Sequence, residues 1–152
     1  MPIGARFVHV NLIARDWRRL AEFYAAVFGC VPVPPERDLA GHWLDQATGI
    51  PHARIRGIHL RLPGFEAEGP TLEIFQYDRL EPRPASAVNR SGLGHIAFAV
   101  PDAAAAREAV LAAGGGTVGE LVSVDIPGAG RLRFVYATDP EGNGIELQQW
   151  CR

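Results

Sequence analysis

The sequence has few of the features that mark a membrane, secreted or nucleic-acid-binding protein. No uninterrupted apolar run in the chain approaches the ~18 to 20 residues that a membrane-spanning helix needs. The N-terminus shows no charged region followed by an apolar one, as a signal peptide would. Basic residues number 15 and acidic residues 17, so the charge balance does not indicate nucleic acid as a partner. We therefore expect a cytoplasmic protein with no membrane and no nucleic-acid partner.

Cysteine is also scarce. The chain has 2 cysteines, Cys30 and Cys151, which are too few and too poorly placed for a disulfide framework, and we expect both to be free thiols. With 152 residues, 47% of them apolar and 21% charged, the composition is that of an ordinary globular chain large enough to bury one core.

The most informative stretch that is present lies near the C-terminus, where residues 139–148 read DPEGNGIELQ. Pro, Asn and two Gly in close succession predict a turn, and the residues after them predict a strand. Glu146 lies between Ile145 and Leu147. Because side chains alternate along a strand, Glu146 and Gln148 should point away from the face that carries Ile145 and Leu147. A single glutamate of this kind usually faces solvent.

The same stretch occurs earlier in the chain. Residues 69–77, GPTLEIFQY, align with residues 142–150, GNGIELQQW, so that Glu73 matches Glu146 and Gln76 matches Gln149.

A second matched pair lies upstream. Residues 9–29 align with residues 95–115: in each, a His opens an apolar strand, an Asp, Asp16 or Asp102, caps the helix that follows, and a Gly closes that helix. The chain therefore contains two tandem units of roughly 75 residues. Each unit carries one His on its first strand, His9 or His95, and one Glu on its last.

The first unit, residues 1–78, contains the least regular segment of the sequence. Residues 30–57 hold several prolines and glycines and have no counterpart in the second unit, so we predict a long irregular insertion, which is more often functional than accidental. Trp43 and Arg54 within it are candidate substrate-binding residues, although a plain surface loop fits equally well. His59 follows on a strand and has no counterpart in the repeat, so we interpret it as a satisfied or exposed histidine.

Residues 79–92 are polar, contain prolines and show no periodicity, which predicts a linker. The second unit, residues 93–152, should begin with a strand in which His95 lies on a face of small residues. A helix beginning at Asp102 and two further strands should then lead into the turn before Glu146.

Four residues at matched positions of the repeat point to metal binding. Each residue alone is weak evidence for a metal site. If the two units curl their strands into halves of one cup, however, two imidazoles and two carboxylates converge. Such a set suits one divalent ion of Zn, Ni, Co, Mn or Fe, with room for water or substrate. The predicted ligands are His9, Glu73, His95 and Glu146.

The motifs resemble those of the vicinal oxygen chelate superfamily. The resemblance rests on the strand-opening His, LAEFYAAVFG, TLEIF, GHIAFAVPD and DPEGNGIEL, which together cover nearly the whole chain. It implies an α+β fold in which two tandem βαβββ modules form a cupped mixed sheet around a metal, and it favours a C2 homodimer. It also places the metal ligands at His9, Glu73, His95 and Glu146. The fold alone does not give the reaction.

Within the superfamily the ligand set is informative. The order His, Glu, His, Glu is similar to that of glyoxalase I, and methylmalonyl-CoA epimerase differs by a Gln at the position of Glu73. Both remove and return a proton on a carbon beside a carbonyl, and the comparison assigns the base to Glu146 with Glu73 as its partner. The segment 30–57 does not match the glutathione-site pattern of glyoxalase I. Asn11 and Gln148, beside His9 and Glu146, are further candidate substrate-binding residues.

Two alternatives stay open at this point. One is an extradiol-type, ring-cleaving dioxygenase, although that class uses two His and one Glu, and Glu73 would be a fourth ligand. The other is a small-molecule-binding, antibiotic-sequestering resistance protein that has kept a metal. In every case the partner is a small-molecule substrate or ligand.

Overall fold

The computed structural model describes residues 1–151. The chain forms two compact units, the first spanning Met1–Pro82 and the second beginning at Arg83. Along the described chain the elements are β1 His9–Ile13, α1 Trp17–Phe28, β2 Val31–Ala40, α2 His42–Thr48, β3 Arg54–Arg61, β4 Thr71–Tyr77, β5 Ile96–Ala99, α3 Ala103–Ala112, β6 Gly116–Ile126, β7 Gly130–Thr138 and β8 Gly144–Cys151.

The first unit is a four-stranded sheet in the order β1-β4-β3-β2. β1 runs parallel to β4, and the other neighbours are antiparallel. α1 begins at the predicted cap, where the Asp16 side chain accepts the Arg19 N–H at 3.1 Å, and it ends at Gly29 in the left-handed conformation. Its apolar stripe packs on β3 and β4, whose buried residues on that face are Ile58, Leu60, Leu72 and Ile74.

The second unit repeats this plan in the order β5-β8-β7-β6, with β5 parallel to β8. α3 begins at Asp102, whose carboxylate accepts the N–H groups of Ala104 and Ala105. Ile145 and Leu147, the residues that flank Glu146, are fully buried. The fold is therefore α+β and built from tandem βαβββ modules, as predicted.

The repeat extends to details of hydrogen bonding. The matched glutamines hold the first residue of each unit's main helix: Gln76 accepts the Trp17 N–H at 3.2 Å, and Gln149 accepts the Ala103 N–H at 3.0 Å. Both outer strands also carry a register shift at the same place, after Val33 in β2 and after Val118 in β6.

The prediction of an irregular insertion over residues 30–57 is wrong for most of that segment. Residues 31–40 form β2, the counterpart of β6, and only α2 with its flanking turns is added. The prolines misled the prediction because β2 is an edge strand with a bulge, and such strands tolerate the missing N–H groups.

The turn before β8 has the form that its sequence predicts. Asp139 is 2% exposed, and its carboxylate accepts the N–H groups of Glu141 and Asn143 and the Asn143 side-chain amide. Gly142 has φ of 86°, which a residue with a side chain rarely adopts. This network fixes the point at which β8 starts and hence the position of Glu146.

The cysteines are both free, Cys30 buried and Cys151 exposed. Burial raises the pKa of the Cys30 thiol to about 11. Within residues 1–151, none of the helices combines the length and the hydropathy that crossing a membrane requires.

Gly57 on β3 lies where the sheet leaves no room for a side chain. A Cβ there would lie 1.9 Å from the carbonyl oxygen of Ile74 and 2.7 Å from the ring of Phe75. Gly57→Ala should lower the free energy of unfolding by ~1–3 kcal/mol, because β3 and β4 must shift apart. Urea denaturation measures the effect. Gly94→Ala, whose Cβ meets nothing within 4 Å, is the control, and equal stabilities of the two variants would contradict the prediction.

Candidate metal centre

The first unit brings His9 and Glu73 together through the parallel pairing of β1 and β4. His9 is level with Thr71, two residues before Glu73 on β4. The two side chains lie on one face of the sheet, with His9 Nε2 3.7 Å from Glu73 Oε1. The first unit therefore brings its own His and Glu together, while the convergence of all four predicted ligands stays a prediction.

The second unit repeats the pairing with the same offset. Ile96 is level with Ile145, so His95, immediately before β5, falls level with Gly144, two residues before Glu146. His95 Nε2 lies 2.9 Å from Glu146 Oε2, and Glu146 is buried.

Glu73 is held by two further side chains. Asn11, its neighbour across β1 and β4, donates from Nδ2 to Oε1 at 2.8 Å. His59, its neighbour across β3 and β4, places Nε2 2.7 Å from Oε2. Both carboxylate oxygens of Glu73 therefore have a fixed partner besides His9.

His59 is the site residue that sequence reasoning missed. Its Nδ1 lies 3.1 Å from the Thr71 hydroxyl. Burial lowers the pKa of His59. Glu73 acts in the opposite direction, but burial together with the nearby charges of Arg37 and His9 outweighs it, so the net shift of the pKa is downward. Because a carboxylate only accepts hydrogen bonds, the neutral ring donates from Nε2 to Glu73 and accepts the Thr71 O–H at Nδ1.

Glu146 has different neighbours. Gln148, two residues along the same strand, donates from Nε2 to Glu146 Oε1 at 3.0 Å, and the Trp150 indole N–H donates to Gln148 Oε1 at 3.0 Å. Tyr136 stands opposite Glu146 on β7, and its ring centroid is 5.2 Å from that of His95.

We call the His–Glu pair of each unit, with its cross-strand neighbours, a half-site. The two half-sites have equivalent backbones and different side chains. Tyr136 occupies the place of His59, so His59 does have a structural counterpart in the repeat, contrary to the sequence interpretation. Ala97 is level with Glu146 as Asn11 is with Glu73. The neighbouring strands therefore bring two hydrogen-bonding side chains, Asn11 and His59, to Glu73, whereas Gln148 of the same strand bonds to Glu146.

The first half-site also contains a set of donors that suits a divalent metal. Ligand atoms of His9, His59 and Glu73 all lie within 4.8 Å of one another. Two imidazoles and a carboxylate are the ligand types of catalytic zinc and of non-haem iron sites. The composition and spacing of these donors therefore fit the metal that the sequence predicts.

The other predicted substrate-binding residues lie in different places. Asn11 and Gln148 each contact a site glutamate, as described above. Arg54 lies at the start of β3 and pairs with Asp38 through two hydrogen bonds of 2.8 Å. Trp43 is an exposed residue of α2. No contact joins Arg54 or Trp43 to the glutamates among the interactions of residues 1–151.

Comparisons with known proteins agree with this architecture. The family model of the Glyoxalase/Bleomycin resistance protein/Dioxygenase superfamily matches residues 6–147. No curated protein sequence matches the chain.

Solved structures share the fold at low sequence identity. A glyoxalase family protein from Bacillus cereus is similar with a TM-score of 0.82 and 17% identity, over 99% of this chain and 97% of that one. A fosfomycin resistance protein from Listeria monocytogenes is similar at 0.60 and 18%, over 99% and 96%. A glyoxalase I variant from Zea mays is similar at 0.64 and 23%, over 97% of this chain and 45% of that one. The family match over nearly the whole length confirms the resemblance of the motifs: the chain belongs to the glyoxalase/bleomycin resistance protein/dioxygenase superfamily.

Proposed function

We propose that the protein is a metal-dependent lyase or isomerase that transfers a proton on a carbon beside a carbonyl, like glyoxalase I or an acyl-CoA epimerase. The observation that carries the proposal is the His–Glu pairing formed twice, with the same register, in a member of this superfamily. The substrate is a small molecule, and the working form is a homodimer, as the resemblance implies.

The metal in this proposal is one divalent ion of Zn, Ni, Co, Mn or Fe, held by His9, Glu73, His95 and Glu146. A metal of this kind acts as a Lewis acid toward a carbonyl oxygen and stabilises the charge that develops when the neighbouring carbon loses a proton. Support comes from the paired imidazole and carboxylate donors in each unit and from their spacing in the first.

The two glutamates have different roles in the proposal. Glu73 keeps Asn11 and His59 as partners even when His9 turns to the metal, so it is the anchored ligand. When His95 likewise turns to the metal and Glu146 loosens from it as substrate binds, Gln148 still holds Oε1 of Glu146, and Oε2 is left to accept the proton and return it. Glu146 is 7% exposed, so little bulk water reaches its carboxylate.

A second candidate function has a specific observation in its favour. His9, His59 and Glu73 make a set of two histidines and one carboxylate, the ligand composition of non-haem Fe(II) oxygenases. If these three alone held iron, a ring-cleaving dioxygenase would be the better assignment, and His95 and Glu146 would serve the substrate. The experiments below separate the two.

Metal stoichiometry tests whether the two half-sites share one ion. Purified protein should hold about one divalent metal per chain by elemental analysis, and His9→Ala and His95→Ala should each lose it together with some thermal stability. His42→Ala, a change on α2, is the matched control. Metal that persists in His95→Ala and disappears in His59→Ala would show an independent three-residue site and contradict the shared one.

The role of His59 is tested by metal affinity. As a side chain that holds Glu73, it should contribute ~10- to 100-fold to affinity, the effect typical of groups that orient a metal ligand. His59→Phe should show that loss in competitive chelator titrations, and His59→Gln, which keeps an N–H donor, should recover most of it. If both variants lose metal completely, His59 is itself a ligand.

Proton exchange tests Glu146. Metal-loaded protein in deuterated water should exchange the proton alpha to the carbonyl of a suitable hemithioacetal or acyl thioester, followed by NMR. Glu146→Gln should keep much of the metal, since an amide oxygen still coordinates, and should lose ~10² to 10⁴-fold in exchange rate. Glu120→Gln, an exposed glutamate on β6, is the control.

The same screen, extended to catechols with and without oxygen, identifies the alternatives. Oxygen-dependent ring cleavage would assign a dioxygenase. Tight binding of a compound with neither exchange nor turnover would assign a sequestering protein.

A further inference from the structure

A row of apolar side chains continues from Glu146 along the same face of the second unit. In the β7–β8 register, Tyr136 is opposite Glu146, Phe134 is opposite Gln148, and Leu132 is opposite Trp150. On β6, Val122 and Val124 are level with Phe134 and Leu132. We call this surface the apolar strip, and its members are Val122, Val124, Ile126, Leu132, Phe134 and Trp150.

Much of the apolar strip is open. The exposed fractions are 43% for Val122, 41% for Val124, 36% for Ile126 and 41% for Trp150. Side chains of this size contribute to stability when they are buried, so neighbouring exposed ones along one strand face indicate a surface that is covered when a partner or ligand binds.

The first unit covers the equivalent surface with its own chain. There, Ile55 and Tyr77 correspond by register to Leu132 and Trp150. Leu44 of α2 packs over this region and forms a buried cluster with Ala53 and Ile55, against Leu39, Phe75 and Tyr77. The second unit connects β6 to β7 by a short turn and has no helix at that place in the described chain. The same sheet face is therefore filled in one unit and open in the other.

The apolar strip is also continuous with the candidate centre. The Trp150 indole N–H bonds to Gln148, Gln148 bonds to Glu146, and Glu146 contacts His95. A row of rings runs beside this chain: Phe134 packs edge-on against Tyr136 at 5.6 Å, and Tyr136 lies beside His95. A molecule whose reacting carbon lies at Glu146 therefore extends directly onto the strip.

We propose that the apolar strip binds an uncharged apolar part of the substrate. This inference rests on the proposed function and narrows its substrate class. The substrate has a head with metal-chelating oxygens and, beyond it, an aromatic or branched aliphatic group. Two to four residues along a strand span ~7 to 13 Å, which sets the distance of that group from the reacting carbon. A tail as polar as glutathione would leave its charged groups unpaired against these side chains.

Hydroxamates of increasing apolar area test the proposal, because their paired oxygens chelate divalent metals. Acetohydroxamate, benzohydroxamate and 4-phenylbenzohydroxamate are titrated calorimetrically into Ni-loaded protein. Affinity should rise on the order of tenfold with each added ring, as expected for burying apolar area. Val122→Ser and Val124→Ser should each reduce that gain while leaving acetohydroxamate binding unchanged. Val88→Ser, the same change at an exposed valine in the segment between the units, should not alter it.

The same titrations on chelator-treated protein separate this inference from the proposed function. If the metal proposal fails, the loaded and treated proteins bind equally, yet the gain in affinity per ring persists and still depends on Val122 and Val124. If the strip proposal fails, the gain in affinity per added ring is absent or is the same in all variants. Sedimentation equilibrium of each variant completes the test: loss of a dimer in Val124→Ser with an unchanged gain would make the strip an interface between copies and overturn the proposal.

Discussion

The site in each unit depends on the parallel pairing of the unit's first strand with its last. In that pairing His9 is level with the residue two positions before Glu73, and His95 is level with the residue two positions before Glu146. Since side chains alternate along a strand, a slip of one residue would turn the imidazole to the helix side and bury it. Such a slip would also turn Leu12 of β1 or Phe98 of β5 out of the core, where both are buried, so core packing opposes it. The same strand register therefore determines both the packing of the core and the geometry of the site.

The two units share this backbone arrangement but differ in the side chains around the glutamate and in the cover over the apolar end of the sheet. Glu73 faces a histidine and an asparagine across its neighbouring strands, and Glu146 faces a tyrosine and an alanine. The first unit also closes its apolar end with α2, and the second leaves that end open. A duplicated site of this kind can give the same residue type two roles. The open end lies beside Glu146, and the closed end lies beside Glu73.

The sequence predicted the parts of the structure that repeat. Matching the two units paired His9 with His95, Glu73 with Glu146 and Gln76 with Gln149, and it predicted the caps at Asp16 and Asp102. The structure adds that the two glutamines hold the first residues of the helices. The segment 31–48 was misread because its prolines lie in an edge strand with a bulge, where the sheet does not need their N–H groups. His59 was missed for another reason: its contact with Glu73 depends on the register between β3 and β4, and no local pattern of residues reveals which side chains face each other across a sheet.

That failure also explains why the superfamily leaves the reaction open. Motifs such as DPEGNGIEL specify a turn and a strand, and through them the frame that presents the ligands. Under the proposed function, the chemistry depends on side chains that face the glutamates across the sheet, His59, Asn11 and Tyr136, and on Phe134 and Trp150 beyond them. The two units carry different residues at equivalent positions, His59 and Tyr136 or Asn11 and Ala97, on the same strand register, so the sheet itself accepts such changes. In that proposal the cross-strand neighbours determine the reaction, and their differences between the two units are the most direct guide to it.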